Sequence, residues 1–471
     1  MFKVLSVNKI MASLAIILTL PVLANNVPAF SNAELKPGGD GTLRKVPKRT
    51  FMHPVSNESL TAQMEFWIGF SFFRDPWVAA PAITSDRDGL GPLYNARSCK
   101  ACHSDGGRGA MPKSGEIASR ALLFRFLQDD GNVDPRYGGQ LQPFSVRLSH
   151  HKLNKEPRGE AQVRVDYEFI QGSYADGGSY TLRKPIYTLL NPAFGDPDTK
   201  SHLSARYTPA IYGMGLLDAI DKQDLLVQED PHDKDNDGIS ARYNKVKNVR
   251  NDELEIGRFG FKGLHPTLEQ QIAGAFVNDI GITNPLFPEE TCLLHQQACL
   301  QAASVEPDDM LDLPQKLLDP TTYMSQTVAV APARNLNSKR AQNGRTLFYQ
   351  LKCNGCHTPF YVTSQDYPVK ALAGQKIWPY TDLALHDMGP GLADKGRENL
   401  AHGREWRTPP LWGLGLQKRV QGTQAYLHDG RAETIEQAIL WHGGEAKPHK
   451  LQFTKLTKDE RQALIFFLKQ I

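Results

Sequence analysis

The chain has 471 residues, of which 40% are hydrophobic and 22% are charged, so it is long enough for two or three domains and is neither disordered nor fibrous. Its 54 basic and 51 acidic residues give a formal charge of +3, which is too balanced to indicate nucleic acid or an anionic membrane as a partner. Six cysteines are too few for a small scaffold held together by disulfides.

The first residues have the pattern of an export signal. Lys3 and Lys9 form a short basic region, residues 11–20 are an apolar run, and small residues precede a cleavage point after Ala24. The run is too short to cross a bilayer, and no longer apolar run follows. We therefore expect residues 1–24 to be a cleaved signal peptide, the mature chain to lack a membrane span, and the protein to be periplasmic. An uncleaved membrane anchor is the alternative.

Two CxxCH motifs are the strongest signal in the sequence. In c-type haem attachment, two thioethers fix the porphyrin and the adjacent histidine becomes an axial ligand of the iron. A single motif could also be a thioredoxin-like dithiol or half of a zinc site, but two copies in an exported chain indicate two covalently bound haem c groups. The residues concerned are Cys99, Cys102 and His103 in the first motif, and Cys353, Cys356 and His357 in the second.

The remaining two cysteines, Cys292 and Cys299, lie close together in the sequence. In an oxidising compartment we expect such a pair to form a small structural disulfide. A redox-active disulfide is the alternative, although nothing nearby is of a kind that lowers the pKa of a thiol.

The two halves of the chain share two further segments. TPAIYGMGL at residues 208–216 matches TPPLWGLGL at 408–416, and TLEQQI at 267–272 matches TIEQAI at 434–439. Each half therefore has a CxxCH motif, then a Thr-Pro turn, then a helix that begins after a threonine. This order indicates a duplicated haem domain with different insertions in the two copies.

Secondary structure differs between the insertion and the rest of the chain. Alternating apolar and polar residues at 162–169 and 180–183 predict strands of a small sheet in the first copy. A capping box at residues 457–460 precedes apolar residues at helical spacing, and Asn337 or Ser338 is expected to begin the helix that leads into the second CxxCH motif.

Four long segments are specific enough to suggest a family. They are GLGPLYNARSCKACH at 89–103, IWPYTDLALHDMG at 377–389, GREWRTPPLW at 403–412 and AILWHGGEA at 438–446. Together they resemble the di-haem oxidoreductase family, whose members are described as peroxidases or thiol oxidoreductases. That family is distantly similar to bacterial di-haem cytochrome c peroxidases and to the di-haem enzymes that oxidise tryptophan residues.

The repeat and the resemblance together imply a fold class. We expect a mainly α protein with two cytochrome c-like haem domains, the first enlarged by a small β insertion and a calcium-type loop. The N-terminal domain is expected to span residues 25–330, and the C-terminal domain residues 331–471.

The resemblance also implies a second axial ligand for the C-terminal haem. YLHDG at residues 426–430 is similar to a motif of the peroxidase relatives, which carry this ligand fourteen residues after the motif's histidine. The same count here gives His442, opposite His357, so we predict a six-coordinate haem suited to electron transfer. His386 and Met388 are the alternative ligands.

The repeat predicts that the first haem lacks this ligand. His442 lies eight residues after Thr434, and the same offset from Thr267 gives Ala275, which cannot bind iron. We therefore expect an open coordination position opposite His103. The residues that could instead close it are Met111, His150 and His151.

An open haem that cleaves peroxide needs an acid–base group, because a proton has to move from the attacking oxygen to the leaving oxygen. The peroxidase relatives use a glutamate in a T-L-E-x-Q helix start, which corresponds to Glu269. Their partner glutamine is missing from the preceding segment, FGFKGLH at residues 259–265. The alternative is that Glu269 only stabilises the start of a helix. A tryptophan between the haems would assist electron transfer, and the candidates are Trp77, Trp378 and Trp412.

The segment DKDNDGIS follows the pattern of an EF-hand calcium loop. Asp233, Asp235 and Asp237 occupy positions 1, 3 and 5, and Gly238 provides the sharp turn at position 6. Position 12 is Asn244 instead of the usual glutamate. We expect a weak calcium site that orders the insertion, and a solvated acidic turn is the alternative.

These features predict a periplasmic di-haem c-type oxidoreductase of the peroxidase type. Electrons would pass from the His357/His442 haem to the open haem of His103. A small periplasmic protein is the expected electron donor, and peroxide or another small oxidant is the expected substrate. The alternatives are a non-catalytic electron-transfer cytochrome and a redox partner in periplasmic metal uptake.

Overall fold

The computed structural model describes residues 27–84, 86–146, 159–303 and 311–471. The predicted signal peptide and the alternative ligands His150 and His151 lie outside these ranges. Among the described residues, no helix is both long and apolar enough to cross a membrane.

Short helices and short strands alternate along the described chain. The α-helices are α1 (Leu60–Arg74), α2 (Cys99–Cys102), α3 (Met214–Asp218), α4 (Lys222–Leu226), α5 (Leu268–Ala275), α6 (Gln297–Ala303), α7 (Gln315–Gln326), α8 (Lys339–Gln350), α9 (Gln417–Gln421), α10 (Ile435–Trp441), α11 (Lys447–Lys455) and α12 (Lys458–Gln470). The strands are β1 (Leu93–Tyr94), β2 (Glu116–Ile117), β3 (Leu122–Leu127), β4 (Phe144–Ser145), β5 (Gln162–Ser173), β6 (Ser179–Leu190), β7 (His202–Tyr207), β8 (Lys245–Lys247), β9 (Leu254–Ile256), β10 (Tyr361–Val362), β11 (Lys376–Ile377), β12 (Leu385–Asp387) and β13 (Glu405–Arg407). A π-helical turn (Phe276–Ile280) continues α5, and short 3₁₀ turns lie at Asn32–Leu35, Gly39–Gly41, Ser104–Gly106, Cys353–Gly355, Lys370–Leu372, Leu414–Leu416 and Gly444–Ala446.

The prediction of a mainly α fold with two cytochrome c-like domains is wrong. About 30% of the chain is helical and 17% is in strands, which form several small sheets. The chain has 39 glycines and 31 prolines. Both residue types are unfavourable inside a helix, so they limit the length of the helices between the shared motifs. Short strand pairs such as β12 with β13 lie where the sequence predicts no strand. The division into domains at residues 330 and 331 stays a prediction.

The largest sheet lies in the insertion of the first half. β5 and β6 form an antiparallel hairpin of twelve residue pairs, from Gln162 opposite Leu190 to Ser173 opposite Ser179, and β2 pairs with the other edge of β5. The predicted strand segments at 162–169 and 180–183 fall within this hairpin. A separate pair, β3 with β7, joins the insertion to the first Thr-Pro turn.

The internal repeat is visible in two crossed helix pairs. In the first half α1 packs on α7, and in the second half α8 packs on α12. A Cβ atom on Gly69 of α1 would lie 1.9 Å from the carbonyl oxygen of Pro320, and one on Gly344 of α8 would lie 2.1 Å from that of Ala463. Both crossings therefore need a glycine, because any side chain would collide with the partner helix.

The helix boundaries of the second half follow the predicted caps. The Ser338 hydroxyl accepts a hydrogen bond from the backbone N–H of Ala341 and caps α8. Thr457 and Glu460 form the predicted capping box of α12. These local signals place the helix pair next to the second CxxCH motif.

The two halves share one hydrophobic core around their Thr-Pro turns. This cluster contains Phe51 and Leu216 from the first half and Leu372 and Trp412 from the second. Trp412 packs against Gly213, and the residue that corresponds to Trp412 in the repeat, Tyr212, packs against Gly413. The two copies of the motif therefore contact each other reciprocally.

The crossing of α1 and α7 gives a stability prediction. Gly69→Ala should lower the free energy of unfolding by about 1–3 kcal/mol, because the new methyl group overlaps the backbone of α7. Alanine would otherwise favour a helix over glycine by up to about 1 kcal/mol, so a loss reports the steric clash. Urea unfolding measures the change, and Glu65→Ala on the exposed face of α1 is the control. Equal or greater stability of Gly69→Ala would contradict the close crossing.

Candidate haem sites

Each CxxCH histidine is oriented by a backbone carbonyl. Nδ1 of His103 lies 2.8 Å from the carbonyl oxygen of Pro209, and Nδ1 of His357 lies 3.0 Å from that of Tyr380. Such a bond puts the proton on Nδ1 and leaves the lone pair of Nε2 available to a metal. Burial lowers the pKa of both imidazoles to about 4, so both are neutral at pH 7.

The four motif cysteines are free thiols. Burial raises the pKa of Cys99 and of Cys353 to about 12, and it also raises the pKa of Cys102 and Cys356. The groups are therefore protonated at neutral pH. Each motif presents two buried thiols beside an imidazole whose Nε2 is available.

A cavity of about 300 Å³ lies next to the first motif. This volume is within the range of small-molecule and cofactor sites. Cys99, Cys102 and His103 line it together with residues of both halves of the chain. Its apolar lining includes Phe73, Leu123, Tyr212, Phe259, Leu268 and Trp412.

Cationic groups in this cavity lack full partners within the protein. Nε of Arg108 is buried without a hydrogen-bond partner. Arg407 donates to the carbonyl oxygens of Gly260 and Thr408, at 2.8 and 3.0 Å, and pairs with no carboxylate among the described residues. Burial lowers the pKa of Arg407 to about 10. These groups fit an anionic ligand such as a pair of carboxylates on a porphyrin.

The second site contains His357 and the predicted second ligand, His442. The pKa of His357 is lowered first by burial and then by the charge of His442, so the two side chains interact electrostatically. That His442 binds the iron stays a prediction. Nδ1 of His442 lies 2.7 Å from the carbonyl oxygen of Ala438, which leaves its Nε2 available. The two imidazoles therefore form a candidate pair of axial ligands.

The alternative ligand His386 is already engaged through both ring nitrogens. Nε2 lies 2.8 Å from Oδ2 of Asp382, and Nδ1 lies 2.9 Å from Oε2 of Glu445. Burial alone would lower the pKa of His386, but the interactions with its partners raise it well above its usual value. A charged imidazolium held in this way has no lone pair for iron.

In the first half, Ala275 takes the position that corresponds to His442 in the repeat. Ala275, at the end of α5, lines the cavity that contains His103. Met111, which could have closed the open position, packs instead with the β3/β7 cluster and next to Gly430. His150 and His151 lie outside the described residues.

The sequence of the chain matches the model of a known protein family. A family model described as "Di-haem oxidoreductase, putative peroxidase" matches residues 34–125 and 133–471. The chain belongs to this di-haem oxidoreductase family. The family description gives two haem groups and an oxidoreductase activity, and the two buried motif sites fit that number. No curated protein and no solved structure matches the chain significantly.

In this di-haem oxidoreductase, Glu269 does not reach the first cavity. Its carboxylate pairs with Arg250, at 2.5 Å between Oε1 and Nη2. The residues of α5 that line the cavity are Leu268, Gln271, Ile272, Gly274 and Ala275. All of these except Gly274 share one face of the helix, whereas position 269 is turned about 100° away from position 268. The motif of the relatives identified the correct helix but not a residue that faces the cavity.

The sequence pattern did not identify His265 as a site residue. Its ring lines the first cavity of the oxidoreductase, and Nδ1 is buried without a hydrogen-bond partner. The only signal was its place just before the T-L-E-Q helix start, in a segment that differs from the pattern of the relatives.

The acidic loop has a different ligand set from the predicted one. Carboxylate oxygens of Asp233, Asp235 and Asp237 lie within 4.8 Å of one another, as a cation site requires. Asn244 is buried elsewhere, with its side-chain amide donating to the carbonyl oxygens of Lys262 and Glu398. Asn244 is therefore not a calcium ligand, because the chain turns away from the loop before position 12.

The structure also describes the predicted disulfide and the three candidate tryptophans. Cys292 and Cys299 form a disulfide. Of the three candidate tryptophans, Trp412 lines the first cavity, whereas Trp77 packs against Phe276 and Trp378 against Phe360.

The second site gives a spectroscopic prediction. In the haem-loaded oxidoreductase, His442→Ala should convert one haem from low spin to high spin, because the ring that faces His357 is lost. Electron paramagnetic resonance and the visible spectrum measure the change. His449→Ala, which removes a neighbouring histidine on α11, should leave both haems unchanged. A low-spin signal that persists in His442→Ala would show that another residue is the ligand.

Proposed function

We propose that this di-haem oxidoreductase is a periplasmic c-type enzyme of the peroxidase type. Its haems would be attached covalently, one through Cys99 and Cys102 and the other through Cys353 and Cys356. Two observations support this attachment: both thiol pairs are free, and each lies beside an oriented imidazole. The export pattern of residues 1–24 supports a periplasmic location. The disulfide also suits the oxidising environment of that compartment.

The difference between the two sites carries the proposal. His442 lies beside His357 in the second half, and Ala275 takes the equivalent position in the cavity of His103. A haem with two histidine ligands transfers electrons, whereas a haem with an open position also binds a small substrate. The second site is therefore the electron-transfer centre, and the first is the substrate site.

The chain's own residues would define the environment of each site. Pro209 and Tyr380 hold the imidazoles of His103 and His357 in fixed orientations through their carbonyl oxygens. Arg407 and Arg108 provide positive charge to anionic groups of the ligand inside a cavity with a largely apolar lining. This lining limits the access of water and strengthens each charge interaction.

The proposed flow of electrons follows from the same asymmetry. A small periplasmic protein would donate electrons at the second site, and peroxide would accept them at the first. Trp412 supports a route between the halves, because it belongs to the second Thr-Pro turn and lines the first cavity.

Substitution of Ala275 tests the open site. Ala275→His in the haem-loaded protein should replace a high-spin signal with a second low-spin signal and abolish peroxide turnover, since an imidazole would occupy the position equivalent to His442. Ala275→Leu is the matched control, because it fills space without offering a ligand. Two low-spin haems in the wild-type protein in every redox state would contradict the proposal and favour the electron-transfer cytochrome.

We also propose that the acidic loop binds calcium through its three aspartates. The loop is tied to the second site, since the backbone N–H and the hydroxyl of Ser240 donate to Glu445, which also contacts His386. A bound cation would reduce the repulsion among the three carboxylates and order this connection.

Removal of one carboxylate tests the calcium proposal. Asp235→Asn should weaken calcium binding about tenfold in isothermal titration calorimetry, because affinity depends on the number of charged ligands. Asp129→Asn, which alters an exposed aspartate outside the loop, should bind calcium as the wild type does. Equal affinity in Asp235→Asn and the wild type would exclude the loop as the site.

A further inference from the structure

The backbone of His265 is held rigidly at the edge of the first cavity. Its carbonyl oxygen accepts hydrogen bonds from the backbone N–H groups of Arg258 and Phe259, at 2.9 and 3.0 Å, which close a tight turn before α5. The imidazole packs against the helix at Gly274, where a Cβ atom would lie 3.1 Å from Cε1. The position of the ring is therefore fixed by the main chain on two sides.

One ring nitrogen of His265 has no partner within the described part of the protein. Nδ1 is buried without a hydrogen-bond partner, although the ring lines the cavity that contains His103. A buried polar atom without a hydrogen-bond partner is unfavourable. A ligand bound by this ring in the cavity would satisfy it.

Arg125, which belongs to the strand β3, lines the same cavity as His265. Alternate residues of β3, Leu123 and Arg125, line the cavity, as the twofold period of a strand requires. One terminal nitrogen of Arg125 lies 3.2 Å from Glu398, and its Nε is buried without a hydrogen-bond partner. Burial and then the charge of Arg125 lower the pKa of His265 to about 4, so the imidazole is neutral at pH 7 and able to accept a proton.

We propose that His265 is the acid–base group of the first site and that Arg125 assists it. This inference rests on the proposed peroxidase function. With a haem held at this site, His265 would accept a proton from one oxygen of the peroxide and return it to the other, which leaves as water when the O–O bond breaks. Arg125 would stabilise the negative charge that develops on the leaving oxygen. Overall, one H₂O₂ takes two electrons from the donor protein and two protons from solvent and yields two water molecules.

His265 is better suited to this role than to ligating the iron. In the repeat, the position equivalent to His442 is Ala275, at the end of α5, whereas His265 precedes the cap Thr267. His265 therefore does not take the position of the second axial ligand.

The two carboxylates that line the cavity, Asp279 and Glu398, already have partners. Asp279 accepts a hydrogen bond from Nε2 of Gln140 at 2.7 Å. Glu398 pairs with Arg125 at 3.2 Å and with Arg206 at 2.9 Å. His265 and Arg125 are thus the better candidates for a proton carrier and a charge partner.

Cyanide binding to the haem-loaded protein tests the proposal without turnover. Hydrogen cyanide must lose its proton to bind iron as the anion, so the association rate reports a nearby base. His265→Ala should slow cyanide association about 100-fold, with the spin state of the resting haems unchanged. Arg125→Gln should slow it to a smaller extent. His402→Ala, which removes an exposed histidine that does not line the cavity, should bind cyanide at the wild-type rate.

Each outcome separates this inference from the proposed function. An unchanged cyanide rate in His265→Ala, with one high-spin haem still present, would overturn the role of His265 and leave the open site intact. A new high-spin signal in His265→Ala would show that His265 is an iron ligand, which also overturns the proposal. A wild-type protein with only low-spin haems would contradict the proposed function itself. His265→Gln provides a second variant of similar size if His265→Ala fails to load haem.

Discussion

The rotation of two short helices about their axes decides which side chains enter the two sites. Thr267 caps α5 through the backbone N–H of Gln270, and Thr434 caps α10 through that of Gln437, at 3.2 and 3.0 Å. Because the two caps are equivalent, residues at the same distance from the cap have the same direction about the axis of each helix. Eight residues after the cap lie Ala275, which lines the first cavity, and His442, which ends α10 and interacts with His357. The proposed chemical difference between the sites depends on this one position.

Close packing between the halves holds these helices in place. The crossings at Gly69 and Gly344 allow each helix pair to approach until backbone meets backbone. The two Thr-Pro turns then pack reciprocally through Tyr212 and Trp412, and both contribute residues to the first cavity. The first cavity is thus lined by residues of both halves. This arrangement provides a physical reason for the two copies to remain in one chain.

Local patterns in the sequence were more informative than the predicted fold class. The strands of the insertion lie where alternation predicts them, and Ala275 lines the first cavity. The ligand role of His442 stays a prediction. The predicted fold class is wrong because short strand pairs, rather than long helices, connect many of the shared motifs. The pattern of the relatives pointed to Glu269. The period of α5 turns it towards Arg250, while Gln271 and Ala275 face the cavity.

The sequence by itself determined the chemistry available to this protein: two pairs of thiols with adjacent histidines, one additional histidine in the second half and none at the equivalent place in the first. These features are set by spacing along the chain, so they can be recognised without knowledge of the fold. The tertiary structure alone decided which distant groups meet. It brought His265 from a turn and Arg125 from a strand to the same cavity, and it removed Asn244 from the acidic loop. Such contacts depend on packing between segments far apart in sequence, and no local pattern encodes them.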